Sequence, residues 1–310
     1  MWPGKVPGRI SQGTSLKQMT RLKEADMDPI LGRLEGYDAR LKRKTGASLR
    51  QLACRAAGAE EALIMDLLER VRFAVVPVRA GLGLIAGFSD TVAGIVSHLG
   101  FQTFVTESCD VAGMAEGIER GGDVLMLADD DRFVAVTPEG RHVVDNTLAT
   151  AQGFVAGLEL MKGNLSGAPA LVLGCGPLGV AAARALVERG AEVALCDPRH
   201  DRIMAALGQM GPGAADRIRI EDADDVPAAL RGYELILDAT NAGGFMESAH
   251  LGPNAVVAAP GLPCALTPEA MAECEERILH DVLEIGTATM AVQAAATLAM
   301  RAEAREGHEG

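Results

Sequence analysis

Positive charge is scarce in this sequence: Lys and Arg total 29 against 42 Asp and Glu, a formal charge of -13. Nucleic-acid binding, which wants a basic face, is disfavoured. A cationic small molecule suits the balance. Lysine nearly vanishes after the first 44 residues, Lys162 being the only one beyond Lys44. Schiff-base or Lys general-acid chemistry, and a Lys/Asp dyad of the shikimate-dehydrogenase type, are therefore poorly supplied. Aromatics make up 3% of the chain beside 36 glycines, which points to close helix–sheet packing and away from a β-sandwich. The six cysteines (Cys54, Cys109, Cys175, Cys196, Cys264 and Cys274) form no CxxC pair and share no zinc spacing with histidine. No metal is expected, and the cysteines read as reduced, which with the lack of other signals suggests a cytoplasmic protein. His98, His142, His200, His250 and His280 have no partner motif, and no Ser/His/Asp arrangement stands out. No run of 18 uncharged apolar residues exists, so no membrane span is expected. Residues 1–19 lack the apolar core of a signal peptide and read as a disordered lead-in, with Met19 as an alternative start.

What is present is alternation. The 310 residues leave room for two domains. Residues 20–70 read as helical, with Leu22, Ile30, Leu31, Leu34 and Leu41 near helical spacing. From residue 71, strands at 71–78, 103–106, 124–128 and 133–136 alternate with helices at 90–99, 111–118 and 146–161. After a linker at 163–167 the alternation restarts. Strands are expected at 170–173, 192–195, 218–220, 235–238, 256–259 and 278–283, and a final helix at 290–303. This pattern predicts an α/β protein with two parallel sheets. An N-terminal helical segment and small α/β substrate domain would occupy 20–165. A Rossmann dinucleotide-binding domain would occupy 166–286. The last helix, 287–303, could return to the first domain, with a tail at 304–310.

The chemistry-bearing motif is Gly174-Cys175-Gly176-Pro177-Leu178-Gly179. It follows the apolar strand 170–173 and opens a helix of small residues. The next strand ends in Asp197, 23 residues after Gly174. That is the full context of a dinucleotide fingerprint, so NAD is the expected cofactor. Gly174 allows the tight turn, Gly176 lets a pyrophosphate approach the backbone, and Gly179 lets the helix pack on the strand. The helix N-terminus offers N–H donors and positive dipole to the phosphates. Asp197, at the head of Asp197-Pro198-Arg199, can accept from both adenosine ribose hydroxyls and would repel a 2′-phosphate. Arg199 and Arg202 pull the other way, since they could hold such a phosphate. Two later strand ends should face the nicotinamide: the one carrying Ala239 and Thr240, and the one carrying Pro260 and Gly261.

Acids supply a second constellation. Asp129, Asp130 and Asp131 follow a first-domain strand, where they form either a solvated turn or a grip for a ligand ammonium. Asp281 is another acid near a strand end, followed by Gly286-Thr287, which can start the final helix. The run Glu221-Asp222-Ala223-Asp224-Asp225 reads as a solvated loop.

Several segments are familiar together. They are Val75-Val76-Pro77-Val78, Gly83-Leu84-Ile85 with Phe88-Ser89, and Phe104-Val105-Thr106 with Asp110-Val111. To these belong Leu127-Ala128-Asp129-Asp130, Pro260-Gly261-Leu262-Pro263-Cys264-Ala265 and Ile285-Gly286-Thr287-Ala288-Thr289-Met290. Spread over residues 75–290, this set resembles the PylD family of pyrrolysine biosynthesis. The resemblance implies NAD-dependent oxidation of an amine in a cationic isopeptide, L-lysine acylated on its ε-nitrogen by 3-methyl-D-ornithine. Hydride leaves the carbon bearing the terminal amine, ammonia is lost, and the α-amine closes a five-membered ring. It implies substrate contacts at Phe88, Ser89, Asp129, Asp130 and Asp281, and a cofactor contact at Thr287; no general base is assigned. A carboxylate beside the reacting amine would disfavour its neutral form, so Asp129 reads as an ammonium grip. The chain departs from the family at Arg79, where small or polar residues are usual, at Gly87, and at Asp281, where Glu is expected. A homodimer is compatible with this reading. Two rival readings are another NAD-dependent amino-acid or opine-type dehydrogenase, and an NAD(H)-binding sensor without catalysis.

Overall fold

In a computed structural model, residues 22–211, 213 and 217–309 are described. The expected lead-in at 1–19 and the choice of start at Met19 lie outside them. The chain divides into two compact units, with the second boundary between His280 and Asp281, ahead of the expected break at 286.

The first unit spans Leu22–Gly163 and takes back the chain from Asp281. It opens with three helices, α1 (Glu24–Thr45), α2 (Leu49–Ala57) and α3 (Glu61–Leu67). On α1, Ile30, Leu34, Tyr37 and Leu41 recur at heptad spacing and are buried, while Leu31 is 45% exposed. The buried stripe is thus narrower than the leucines alone suggest. Ser48 caps α2 reciprocally: its Oγ accepts from Gln51 N–H at 3.3 Å, and Gln51 Oε1 accepts from Ser48 N–H at 2.9 Å. Next come β1 (Arg72–Val76), α4 (Phe88–His98), β2 (Gln102–Val105), α5 (Asp110–Glu119), β3 (Val124–Ala128), β4 (Phe133–Thr137), β5 (His142–Asp145) and α6 (Asn146–Lys162). The sheet order is β2-β1-β3-β4-β5. Only β2, β1 and β3 are parallel; β4 and β5 return antiparallel. The expectation of a purely parallel sheet is corrected here. The short connections after β3 and β4 have no room for a crossover helix, so the strands form hairpins.

The final helix, α11 (Glu284–Glu309), starts earlier and runs further than expected. It belongs to this first unit and packs on α6 and α2. The approach is close: a Cβ on Gly153 would lie 2.4 Å from Ile285 Cγ2, and one on Gly286 would lie 2.4 Å from Thr150 Oγ1. Its first turns are fully buried, including Ile285, Ala288, Met290 and Val292.

The second unit, Asn164–His280, is a six-stranded sheet. In chain order it contains β6 (Pro169–Leu173), α7 (Pro177–Glu188), β7 (Glu192–Cys196), α8 (His200–Met210), β8 (Arg219–Ile220) and α9 (Val226–Arg231). Then follow β9 (Leu235–Asp238), β10 (Val256–Ala258), α10 (Pro268–Glu273) and β11 (Ile278–Leu279). The strand order is β11-β10-β9-β6-β7-β8, and every pairing is parallel. β11 is only two residues long, so the expected strand 278–283 is corrected: from Asp281 the chain turns into α11.

Candidate functional site

The chain direction reverses at β6. From β6 the chain moves outward through β7 and β8, then returns to place β9 on β6's other side. Ligands of open α/β sheets sit beyond the strand carboxyl ends at such a switch point. Gly174 takes the left-handed φ of +88°, and a Cβ there would lie 2.8 Å from Ala239 O. A Cβ on Gly179 would come within 1.9 Å of Gly174 O, so α7 can approach the turn only with glycine there. Gly176 differs: its φ is -74°, which any residue adopts, and a Cβ would meet no atom within 4 Å. The protein's own packing gives no reason for glycine at that point, whereas a pyrophosphate laid on the backbone does. Pro177 is at the first position of α7, and no acid occupies its first turn.

Asp197 closes the other side of this turn. It is buried, its Oδ2 accepts from Cys175 N–H at 2.8 Å, and its Oδ1 accepts from Arg199 N–H at 2.8 Å. Each oxygen keeps a further lone-pair direction for a hydroxyl donor. The Arg199 guanidinium turns away and forks onto Asp201, at 2.6 and 3.2 Å. Burial, then the Asp197 charge, pushes the Cys175 and Cys196 thiols up to about 12, so neither is a nucleophile.

After β9, Asp238 Oδ1 accepts from Thr240 N–H at 3.1 Å and from Thr240 Oγ1 at 2.7 Å. A Cβ on Gly261 would lie 2.8 Å from Thr240 O, so the Ala239–Thr240 turn is enclosed by Gly174 on one side and Gly261 on the other. His280 Nδ1 lies 2.6 Å from Ala259 O, tying the end of β11 to the segment before Pro260. A cavity of about 380 Å³ in this unit is lined by Pro169, Arg219, Glu221 and Tyr233, and by none of the fingerprint residues.

The first unit's sheet has a switch point of its own, between β1 and β3. Asp129 sits there, exposed, with Oδ1 held by the N–H groups of Asp131 (2.9 Å) and Arg132 (2.8 Å). Its other oxygen faces no protein donor among the described residues. Asp130 is used differently. Its Oδ2 accepts from Leu82 N–H at 2.6 Å, and a Cβ on Gly81 would lie 2.0 Å from that oxygen. At the loop's other end Asp110, with φ of 56°, accepts from Arg79 N–H at 2.7 Å and Arg79 Nε at 3.4 Å. Two carboxylates thus pin the Arg79–Leu82 loop. Phe88 lies edge-on to Phe133, ring centroids 5.4 Å apart, and Ser89 follows it in the first turn of α4.

Asp281 is not an open strand-end acid. It is 4% exposed, with Oδ2 accepting from Tyr37 Oη at 2.7 Å and Oδ1 from Ile285 N–H at 3.3 Å. Glu284 beside it is fully buried and pairs with Arg33 at 3.3 Å. Burial first, then the Glu284 charge, holds the Asp281 carboxyl well above the usual range. Thr287 is buried inside α11, its hydroxyl without a hydrogen-bond partner among the described residues. Sequence reasoning missed Tyr37 and Glu284; the heptad place of Tyr37 on the buried stripe was the one available signal.

Residues 26–144 match the family described as pyrrolysine biosynthesis protein PylD, N-terminal domain. Pyrrolysine synthase from Methanosarcina barkeri is 27% identical over 273 residues, covering 88% of this chain and 97% of that protein. Over most of its length the chain is thus similar to the pyrrolysine synthases. Among solved structures, a bifunctional 5,10-methylenetetrahydrofolate dehydrogenase/cyclohydrolase from Thermoplasma acidophilum aligns with a TM-score of 0.54. It is 12% identical, over 81% of this chain and 97% of that one. Quinate dehydrogenase from Corynebacterium glutamicum, in complex with NAD, aligns with a TM-score of 0.50 at 16% identity, over 74% and 93% of the two chains. These likenesses show a Rossmann-type α/β fold. The matched segment 26–144 holds Asp129, Asp130 and the pinned Arg79 loop; the glycine turn lies outside it. No helix among the described residues is long and apolar enough to cross a membrane, and no group of three or more potential metal ligands occurs among them.

Proposed function

We propose that this chain is an NAD-dependent amine dehydrogenase of pyrrolysine synthesis. Its substrate is L-lysine acylated on the ε-nitrogen by 3-methyl-D-ornithine. The observation that carries the cofactor reading is the open backbone at Gly176, beside an Asp197 whose two oxygens are fixed by Cys175 and Arg199 N–H groups. Gly174, Gly176, Pro177, Leu178 and Gly179 hold the pyrophosphate. Asp197, with Pro198 and Arg199 shaping its turn, receives the adenosine ribose. Ala239, Thr240, Pro260 and Gly261 border the nicotinamide. NAD, when bound, supplies the hydride acceptor.

Similarity to pyrrolysine synthases over most of the chain supports the substrate class. The exposed, pre-oriented Asp129 carboxylate grips an ammonium of the cationic isopeptide. Asp130 acts one step removed, by holding the loop through Leu82. Phe88 and Ser89 stand at the start of α4 as further substrate contacts. Asp281 shapes the first unit from within and does not touch substrate. Hydride loss from the amine-bearing carbon, ammonia loss and closure of a five-membered ring complete the reaction, closure being favoured by its intramolecular geometry. The protein works in the cytoplasm and takes no nucleic-acid or membrane partner.

The test mixes purified protein, NAD and the isopeptide, following reduced-nicotinamide absorbance together with product mass. Reduction of NAD with the mass of the cyclised product is expected. Tight NAD binding with no turnover of this isopeptide would move the assignment to another amine, and no NAD binding would remove the dehydrogenase reading.

A further inference from the structure

Asp238 is the most completely buried carboxyl in the second unit and is 0% exposed. The hydrogen bonds it accepts from Thr240, from the N–H and the hydroxyl, both go to Oδ1. Oδ2 is buried with no hydrogen-bond partner among the described residues. With both Thr240 hydrogen bonds on Oδ1, Oδ2 is the oxygen left to carry a proton, and burial without a cation favours that neutral form. A carboxylate with one buried oxygen unpaired is costly, and no cation among the described residues pairs with it to offset the charge. Burial pushes this carboxyl up to about 7, with hydrogen bonds from the Thr240 hydroxyl and N–H and the Ala265 N–H offsetting only part of the effect.

The position shows what the group does. Asp238 holds Thr240, and the backbone of Ala239–Thr240 is what Gly174 and Gly261 both pack against. A hypothetical Cβ on Gly261 would sit 3.7 Å from the bare Oδ2, so that oxygen faces the second of the two loops. One carboxyl therefore sets the turn against which the phosphate loop and the nicotinamide-side loop are both placed.

We propose that Asp238 is a positioning residue of the dinucleotide site, working as a neutral acid that fixes the Ala239–Thr240 turn. The proposal rests on the dinucleotide reading above. Ionisation places an uncompensated charge on the buried Oδ2, so the turn loosens and the cofactor is held less well. Titratable groups at the neighbouring strand ends are Cys175 after β6, Cys196 and Asp197 at and after β7, and His280 after β11. Both thiols are pushed up to about 12 and do not titrate near neutrality. His280 is the competitor to exclude.

The experiment measures NAD affinity of the full chain as a function of pH, by calorimetry, between about pH 6 and pH 9. The wild type is expected to lose affinity above about pH 7, by at most tenfold for each pH unit. Asp238→Asn, which mimics the neutral acid, is expected to match the wild type at low pH and to stay flat as pH rises. Asp238→Ala, which leaves Thr240 without an acceptor, is expected to bind weakly at every pH. If Asp238→Asn is as weak as Asp238→Ala at low pH, the charged form is the working one and the proposal is overturned. It is equally overturned if Asp238→Asn keeps the wild-type pH profile, or if His280→Gln abolishes it. A wild type that binds no NAD at any pH instead removes the dinucleotide reading itself. The pH dependence of unfolding, flattened by Asp238→Asn, would then still report the state of the carboxyl.

Discussion

Two buried carboxyl groups, one in each unit, meet the same problem in different ways. Asp281 has a donor for each oxygen, Tyr37 on one and the Ile285 N–H on the other. Its neighbour Glu284 is in turn reached by Arg33. The result is a tie between α1 and the start of α11, elements far apart in sequence. Asp238 takes both Thr240 hydrogen bonds on one oxygen, and the second has no hydrogen-bond partner among the described residues. Where the fold supplies partners on both sides, a buried acid serves as a joint. Where it leaves one side bare, at a strand's carboxyl end, the acid is available to shape a binding turn. A buried polar atom left unpaired costs stability, so the difference between the two sites can be measured.

The pH dependence of stability should show the greatest change. Folding raises the Asp238 pKa from the ordinary 3.8 to about 7, so between these values the native state holds a proton that the unfolded chain has lost. Stability therefore falls as pH climbs through that window and levels off above it, by roughly 4 kcal/mol in all at about 1.4 kcal/mol per pH unit. Urea unfolding of the wild type and Asp238→Asn across the window checks this, and parallel curves would erase the contrast between the two acids. Asp281, also raised, adds a fall of the same sign.

Next in size is Tyr37→Phe, which strips the donor from Asp281 Oδ2 and makes that site resemble Asp238. A loss of about 1–3 kcal/mol in unfolding free energy is expected, with NAD affinity unchanged. A weaker grip on NAD would mean that Asp281 is more than a joint.

Asp129 extends the contrast to an exposed acid. Replacing it with Asn keeps the oxygen that receives the Asp131 and Arg132 N–H groups and removes the charge. The KM of the isopeptide is expected to rise about tenfold or more, in line with a lost charge-assisted hydrogen bond, and NAD affinity to stay put. Steady-state kinetics with each substrate varied in turn decides it.

A smaller change is expected from Thr240→Val. It removes one of the two donors to Asp238 Oδ1 and keeps the backbone one, for a cost of about 1 kcal/mol. The same change should push the Asp238 carboxyl further up, since the lost hydroxyl favours the charged form. The fall in NAD affinity should then begin at higher pH.

Much of the dinucleotide half was legible in sequence because its parts are local. Gly174 to Gly179, the strand before them and the helix they open lie within a short stretch of chain, and Asp197 follows one crossover later. The antiparallel return of β4 and β5 was not legible: β4 was expected as a strand, but period alone does not give its direction, and β5 is only four residues long. The role of Asp130 was hidden because its partner, Leu82 N–H, lies 48 residues away. Asp281 was misplaced for a related reason. Its surroundings are made by Tyr37, 244 residues earlier, and no spacing rule connects the two.

Local patterning was enough to establish the alternation of strands and helices, the glycine turn with its acid, and the resemblance to one biosynthetic family. These depend on short-range periodicity and on residue types that only certain backbones accept. Packing in three dimensions was needed to settle which acids are exposed and which enclosed, and which oxygen of each is satisfied. It was needed, too, to return the chain from Asp281 to the first unit. Those outcomes depend on desolvation and on hydrogen-bond partners brought together across long stretches of chain, and neither is written in the neighbourhood of the residue itself.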